Sequence, residues 1–228
     1  MRFGLIGDGQ IARYHRKAIE YVGEELAWVF DPKYENCPMP DKWVDYAVIC
    51  SPSQFHRKHI LSALLRSDRV ICEKPCCLPW ETLVDDDRIN VVLQYRWAPL
   101  PRKARNVRVT MIRDAAYFDS WKGNPRLTGG FFFNLFIHYI DLAIQLGADF
   151  HGLVAHEGKQ ERWVDDIDLF QFDIQALYNR MYEAILNGYG VKPSELFYLH
   201  YIMERCSREN GFNKALIGKE IHIPNQLL

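Results

Sequence analysis

Phe3-Gly4-Leu5-Ile6-Gly7-Asp8-Gly9-Gln10-Ile11-Ala12 is the stretch that decides the fold. A short apolar strand runs straight into G-x-G-x-x-A, and residues 13–21 continue as a helix. Gly7 permits the tight turn, Gly9 lets backbone approach a pyrophosphate, and Ala12 allows close helix–strand packing. Asp8, Gln10 and Ile11 complete a loop that leads the free N–H groups of the helix toward an anion. An ordinary strand–turn–helix has the same outline, so a second signal is needed. Asp31 supplies it: it ends another apolar strand, Leu26-Ala27-Trp28-Val29-Phe30, 22 residues (31 − 9) beyond Gly9. A carboxylate there accepts hydrogen bonds from both ribose hydroxyls of an adenosine and repels a 2′-phosphate. The expected ligand is a dinucleotide, NAD rather than NADP.

Composition bounds the rest. The 228 residues can bury one good core or two small ones. With 28 basic and 29 acidic residues, the formal charge is −1, which gives no footprint for nucleic acid or an anionic membrane. No run reaches the ~18 apolar residues of a membrane span, and Met1-Arg2 leads into a strand rather than a signal peptide. A cytoplasmic protein is expected. The 6 cysteines (37, 50, 72, 76, 77 and 206) match no zinc or redox spacing, so reduced thiols and no metal site are expected. His15, His59, His151, His156, His200 and His222 show no ligand spacing and read as structural or exposed.

Strands and helices alternate through the first half, as a parallel sheet requires. Residues 33–42 read as a loop where a helix normally sits. Strands are expected at 43–50, 69–72 and 91–95, with a crossover helix at 56–65. From about Ala98 the pattern changes. A partly alternating strand is expected at 106–117, then helices at 134–146, 172–186 and 194–209. Together these predict a small open sheet with helices on one face. A domain boundary at 97/98 divides residues 1–97 from 98–228.

These residues carry a resemblance. The Gly7–Ala12 loop, Glu73-Lys74-Pro75 after a strand, and Gly129-Gly130 followed by Asn134 and Ile137-His138-Tyr139-Ile140-Asp141 resemble the Gfo/Idh/MocA family of glucose–fructose oxidoreductase and inositol dehydrogenase-like enzymes. Ser51-Pro52 with His56 is a weaker match. The fold this implies is α/β: a Rossmann-type parallel-sheet domain followed by a reduced α+β domain. Val91 to Arg96, Tyr117 to Gly123 and Thr128-Gly129-Gly130 are similar to the NAD-dependent 3-dehydrogenases of UDP-N-acetylglucosaminuronic acid, enzymes of surface-polysaccharide synthesis.

Alcohol oxidation needs a base, a hydride acceptor and a group that stabilises an alkoxide. Lys74, at a strand's C-terminal end, suits the last role, although a surface ion pair with Glu73 is the plainer reading. An imidazole such as His138 suits general-base work, although a histidine in an apolar helix usually just satisfies the core. The resemblance makes Lys74 and His138 catalytic. It adds Ser51, Pro52, His56, Glu73, Lys74 and Gln94 to the cofactor site. Asn134 and Asp141 lie four before and three after His138, a spacing that shares one helix face. Many family members carry aspartate at the Asn134 position, whereas the sugar-nucleotide enzymes carry asparagine. Ser120, Trp121 and Lys122 can bind and stack on a uronate sugar, or form a plain turn. Arg96 serves an anionic group or a structural ion pair.

The expected partner is a nucleotide sugar, and a shortened second domain favours a homodimer over the family's tetramer. Trp163, Phe170, Phe172, Tyr178, Tyr182, Phe197, Tyr198 and Tyr201 supply its apolar surface, or else close a compact core. Two other readings remain: a non-catalytic NAD-binding protein, and a dehydrogenase of a free sugar or polyol.

Overall fold

The computed structural model describes residues 1–31, 39–210 and 217–228. Most of the loop expected at 33–42, with Lys33 and Cys37, therefore lies outside the described residues. In chain order the elements are β1 (Arg2–Ile6), α1 (Ala12–Tyr21), β2 (Glu25–Phe30), β3 (Val44–Ile49), α2 (His56–Ala63), β4 (Ser67–Cys72) and β5 (Ile89–Val91). Then follow β6 (Asn106–Ile112), α3 (Ala115–Asp119), α4 (Pro125–Thr128), α5 (Ile137–Leu146), β7 (Asp149–Ala155), β8 (Glu161–Val164) and β9 (Ile167–Asp168). The last are α6 (Ile174–Leu186), α7 (Phe197–Asn210) and β10 (Glu220–Ile223).

The chain forms two units, and neither is a single run of sequence. The first comprises Met1–Trp97 with Asp173–Leu196, the second Ala98–Phe172 with Phe197–Leu228. The first segment of the first unit ends at Trp97, and residues 173–196 return to that unit. The cause is apolar: Tyr178, Met181, Tyr182 and Ile185 of α6 share one buried cluster with Phe3, Leu5, Ala18, Ile19 and Tyr46. Phe3 stacks on Tyr46 with centroids 5.0 Å apart. Burying each such large side chain is worth roughly 1.5–3 kcal/mol.

In the first unit five parallel strands run in the order β2-β1-β3-β4-β5. β3 is buried along almost its whole length, as expected of a strand covered on both faces. The order reverses between β1 and β3, and open parallel sheets bind ligands in the crevice beyond the strand ends at such a switch point. β5 is shorter than the strand expected at 91–95, because the chain turns into a 3₁₀ turn at Gln94–Trp97.

In the second unit the sheet order is β10-β7-β6-β8-β9, with only β6 and β7 parallel. β6 and β7 alternate buried and half-exposed residues, so one face carries the core. α5 packs on that face, where Phe136 meets Phe150 edge-on at 5.4 Å. The strand expected to reach 117 stops at Ile112. Asp114 is the reason: its carboxylate accepts from Tyr117 N at 2.9 Å and caps α3. The stretch between α5 and α6 holds three strands, β7, β8 and β9. Among the described residues no helix is long and apolar enough to cross a membrane.

Candidate functional site

The glycine loop sits at the switch point. Gly7 N donates to Phe30 O (2.7 Å) and Cys50 N to Ile6 O (2.8 Å), which ties the loop to the ends of β2 and β3. Gly7 has φ +94°, and a Cβ there would lie 2.7 Å from Ser51 N. Only glycine tolerates both the backbone angle and the approach. A Cβ on Gly9, by contrast, would meet nothing within 4 Å. No side chain caps α1 at Ile11, although Ala12 N donates to Gly9 O (3.1 Å) and Tyr14 N to Ile11 O (3.0 Å).

Asp31 follows β2 directly, and its Oδ2 accepts from Asp8 N at 3.3 Å. Asp8 in turn is bridged by Arg16 at 2.8 Å. Gln94 is buried, and among the described residues its Oε1 meets no hydrogen-bond donor. Space beside Gly9, an uncapped helix and an orphaned carbonyl oxygen together fit a dinucleotide.

Glu73, Lys74 and Pro75 follow β4, with the Lys74–Pro75 bond cis. Glu73 is buried and serves the unit's interior. Its Oε1 accepts from Tyr178 Oη at 2.6 Å and from His15 Nε2 at 3.1 Å, and its Oε2 lies 3.3 Å from Lys74 N. A carboxylate only accepts, so His15 Nε2 carries the proton, and Nδ1 meets the Tyr182 hydroxyl at 2.7 Å. Burial pushes the Glu73 carboxyl up, but bonds from His15 and Tyr178 and the charge of Lys74 outweigh it. The result is a pKa of about 2. Burial and Glu73's charge push the Tyr178 phenol well up. This four-residue cluster was not legible in the sequence. His15 reads there as structural or exposed, and its partners are 58 residues away at Glu73 and 167 away at Tyr182 on α6.

His56 is buried, with Nδ1 2.6 Å from Pro75 O and Nε2 2.6 Å from Ser51 O. It clamps the Ser51-Pro52 turn to the Lys74–Pro75 turn. Ser51 Oγ is engaged with His59 Nδ1 at 2.8 Å. Arg96 pairs with Glu195 at 2.9 Å, the ion-pair reading of that residue.

The second unit gathers a different set. The helix expected from Asn134 begins with a π-helical turn, Phe132–Phe136, before α5 starts at Ile137. Such turns are frequent at functional sites. The wider turn changes the offset of Asn134 from His138 relative to simple helical spacing, while His138 and Asp141 keep it. Asn134 Nδ2 donates to Tyr117 Oη (2.7 Å) and to Lys122 O (3.1 Å). The Asn134 side chain therefore ties the 117–122 segment to the π turn. Ser120 Oγ donates to Tyr117 O and accepts from Lys122 N, which makes it a turn former. Trp121 is exposed and Asp141 buried. Lys122 lines a cavity of ≈ 450 Å³ with Arg113, Asp114, Tyr117, His156 and Gln160. Arg113, absent from the sequence expectations, stacks over the Tyr117 ring at 5.2 Å.

Residues 1–86 match the sequence model of an oxidoreductase family with an NAD-binding Rossmann fold. A glucose-6-phosphate 3-dehydrogenase of Bacillus subtilis (strain 168) is 30% identical over 96 residues, 35% of this chain. The match spans only 27% of that relative's length. The WlbA (WbpB) dehydrogenase of Thermus thermophilus, solved with NAD and UDP-GlcNAcA, superposes with a TM-score of 0.69 at 22% identity, over 90% of this chain and 94% of its own. The WlbA dehydrogenase of Bordetella pertussis, solved with NADH and UDP-GlcNAcA, is 25% identical, with a TM-score of 0.53 over 66% of this chain and 62% of its own.

Proposed function

We propose, from the match of residues 1–86 to the GFO_IDH_MocA oxidoreductase family, that the chain is an NAD-dependent dehydrogenase acting on carbon 3 of a nucleotide-linked sugar, such as UDP-N-acetylglucosaminuronic acid. The observation that carries the substrate class is the Tyr117–Asn134–Lys122 tie beside a cavity with two cations, Arg113 and Lys122. Cations at a polar pocket suit a uronate or diphosphate group. The T. thermophilus and B. pertussis structures, both solved with UDP-GlcNAcA, support the same class.

Bound NAD supplies the hydride acceptor. Lys74 is assigned to stabilise the alkoxide and His138 to take the hydroxyl proton. The bonds from Glu73 to the Lys74 backbone and from His56 to Pro75 fix the loop that carries Lys74. Asp31 selects NAD, because a 2′-phosphate would meet its carboxylate.

NADH formation followed with UDP-N-acetylglucosaminuronic acid, glucose 6-phosphate and myo-inositol, each with NAD and with NADP, tests the proposal. Turnover with the nucleotide sugar and NAD is expected to exceed every other pair. A faster reaction with the sugar phosphate or polyol overturns the substrate assignment, and equal use of NADP overturns the role of Asp31. Tight NAD binding with no turnover of any alcohol would make the protein a non-catalytic binder.

A further inference from the structure

We propose that the outer face of the β7/β10 pair is a binding site for a divalent transition-metal ion of the zinc type, held by Asp149, His151 and His222. The two strands are antiparallel, and His151 stands directly opposite His222. Their rings are stacked, with centroids 4.4 Å apart and planes 11° from parallel. The two-residue period of a strand puts Asp149 on the face of His151, and Glu220 on the face of His222.

The hydrogen bonds prepare these atoms as ligands. His151 Nδ1 lies 3.3 Å from Glu220 Oε1. Because a carboxylate only accepts, Nδ1 holds the proton and Nε2 keeps a lone pair, the carboxylate–histidine arrangement found behind metal-bound imidazoles. Asp149 Oδ1 accepts from Asn225 N at 2.7 Å, and Asn225 Nδ2 donates to Gly147 O at 3.0 Å, which anchors that carboxylate. Its second oxygen stands 3.7 Å from His222 Nε2. That is too long for a hydrogen bond. It is close to the separation of about 3.3 Å between two ligands each ~2.0–2.1 Å from a tetrahedral ion. One ligand atom from each of Asp149, His151 and His222 lies within 4.8 Å of the others, so small side-chain rotations bring all three onto one ion.

Two imidazoles and a carboxylate suit zinc and its first-row neighbours, whereas calcium and magnesium want oxygen alone. All three ligands are at least partly exposed, which leaves a fourth position for water.

The test is calorimetric titration of the chelator-treated full chain with Zn²⁺, repeated for His151→Ala and His222→Ala. One ion per chain at a Kd in the ~micromolar range is expected for a three-ligand surface site. Each histidine variant should weaken binding at least ~10-fold, and Glu220→Gln should do so by ~10-fold through loss of the second shell. Melting of each metal-free variant checks the fold, and Co²⁺ should give visible ligand-field bands that vanish in the same variants. Zinc uptake unchanged in either histidine variant would place the ion elsewhere and overturn the proposal. Absence of binding by the wild-type chain up to ~1 mM would overturn it as well.

Discussion

Tyr178 Oη donates to Glu73 Oε1 at 2.6 Å inside the first unit. The bond links the loop that carries Lys74 to a helix that the chain supplies only after crossing the second unit. An ionised carboxylate in a buried place needs such partners, because its desolvation is costly.

Tyr178→Phe keeps the ring and removes that donor. The carboxylate then retains His15 and the longer contact from Lys74 N, and a hydrogen bond to a charged group is worth roughly 1.5–3 kcal/mol. Urea unfolding should show a loss of that size. A loss below ~0.5 kcal/mol, the range of ordinary surface changes, would mean that Glu73 does not depend on Tyr178.

Acid should weaken the fold in two stages. Burial holds His59 at about 4, against an ordinary 6.5, and burial also lowers His56. Below pH 6.5 the unfolded chain takes up these protons and the folded chain does not, so stability falls as pH drops from 6.5 toward 4. Glu73, at about 2 against an ordinary 4.5, adds a second loss as pH falls from 4.5 toward 2. Melting temperatures across the acid range should decline from pH 6.5 downward. A flat profile between pH 7 and 5 would contradict the histidine assignments.

The two loop glycines should fail differently. Gly7→Ala forces a side chain to φ +94° and to 2.7 Å from Ser51 N, so it should lower the melting temperature. Gly9→Ala meets no protein atom within 4 Å and should leave the melt unchanged. It should nevertheless weaken NAD by ~10-fold or more, a loss of about 1.4 kcal/mol. If Gly9→Ala bound NAD as the parent does, the loop would not approach a pyrophosphate.

Lys74→Ala and His138→Ala should each lower turnover by ~10²-fold or more, as removal of a proton-transfer or charge-stabilising group does. NAD binding should stay largely intact in both, since neither supplies the glycine loop that holds the pyrophosphate. Near-parental turnover in either variant would remove that residue from the chemistry.

A homodimer is expected through the surface around residues 163–172. Phe170 is half exposed there, with the Arg162 guanidinium 4.5 Å over its ring. Light scattering at micromolar concentration should give twice the chain mass. A monomer or a tetramer would refute the dimer.

The glycine loop, the parallel strands and the Lys74 turn could be read from sequence because their signals are local: a motif, a run of apolar residues, a proline. What escaped depends on chain segments far apart. Tyr178 and Tyr182 read as second-domain aromatics, at an interface or closing a compact core, and both are buried in the first unit's core, because helical spacing shows an apolar face and not its destination. The π turn at Phe132–Phe136 leaves no mark in residue spacing. His151 and His222 seem solitary until strand pairing sets them side by side. The partners of Glu73, His15 and Tyr178, are likewise distant in sequence, and His56 meets the carbonyls of Pro75 and Ser51.

The return of residues 173–196 also bears on how the chain is made. The core around Phe3 and Tyr46 lacks Tyr178 and Tyr182 until α6 has left the ribosome. By then β6 to β9 have already been synthesised. Synthesis from the N-terminus therefore cannot complete the first unit before most of the second unit's sheet exists as chain. Apolar surface on β1 and α1 stays uncovered through that interval, the period in which partly folded chains aggregate most readily.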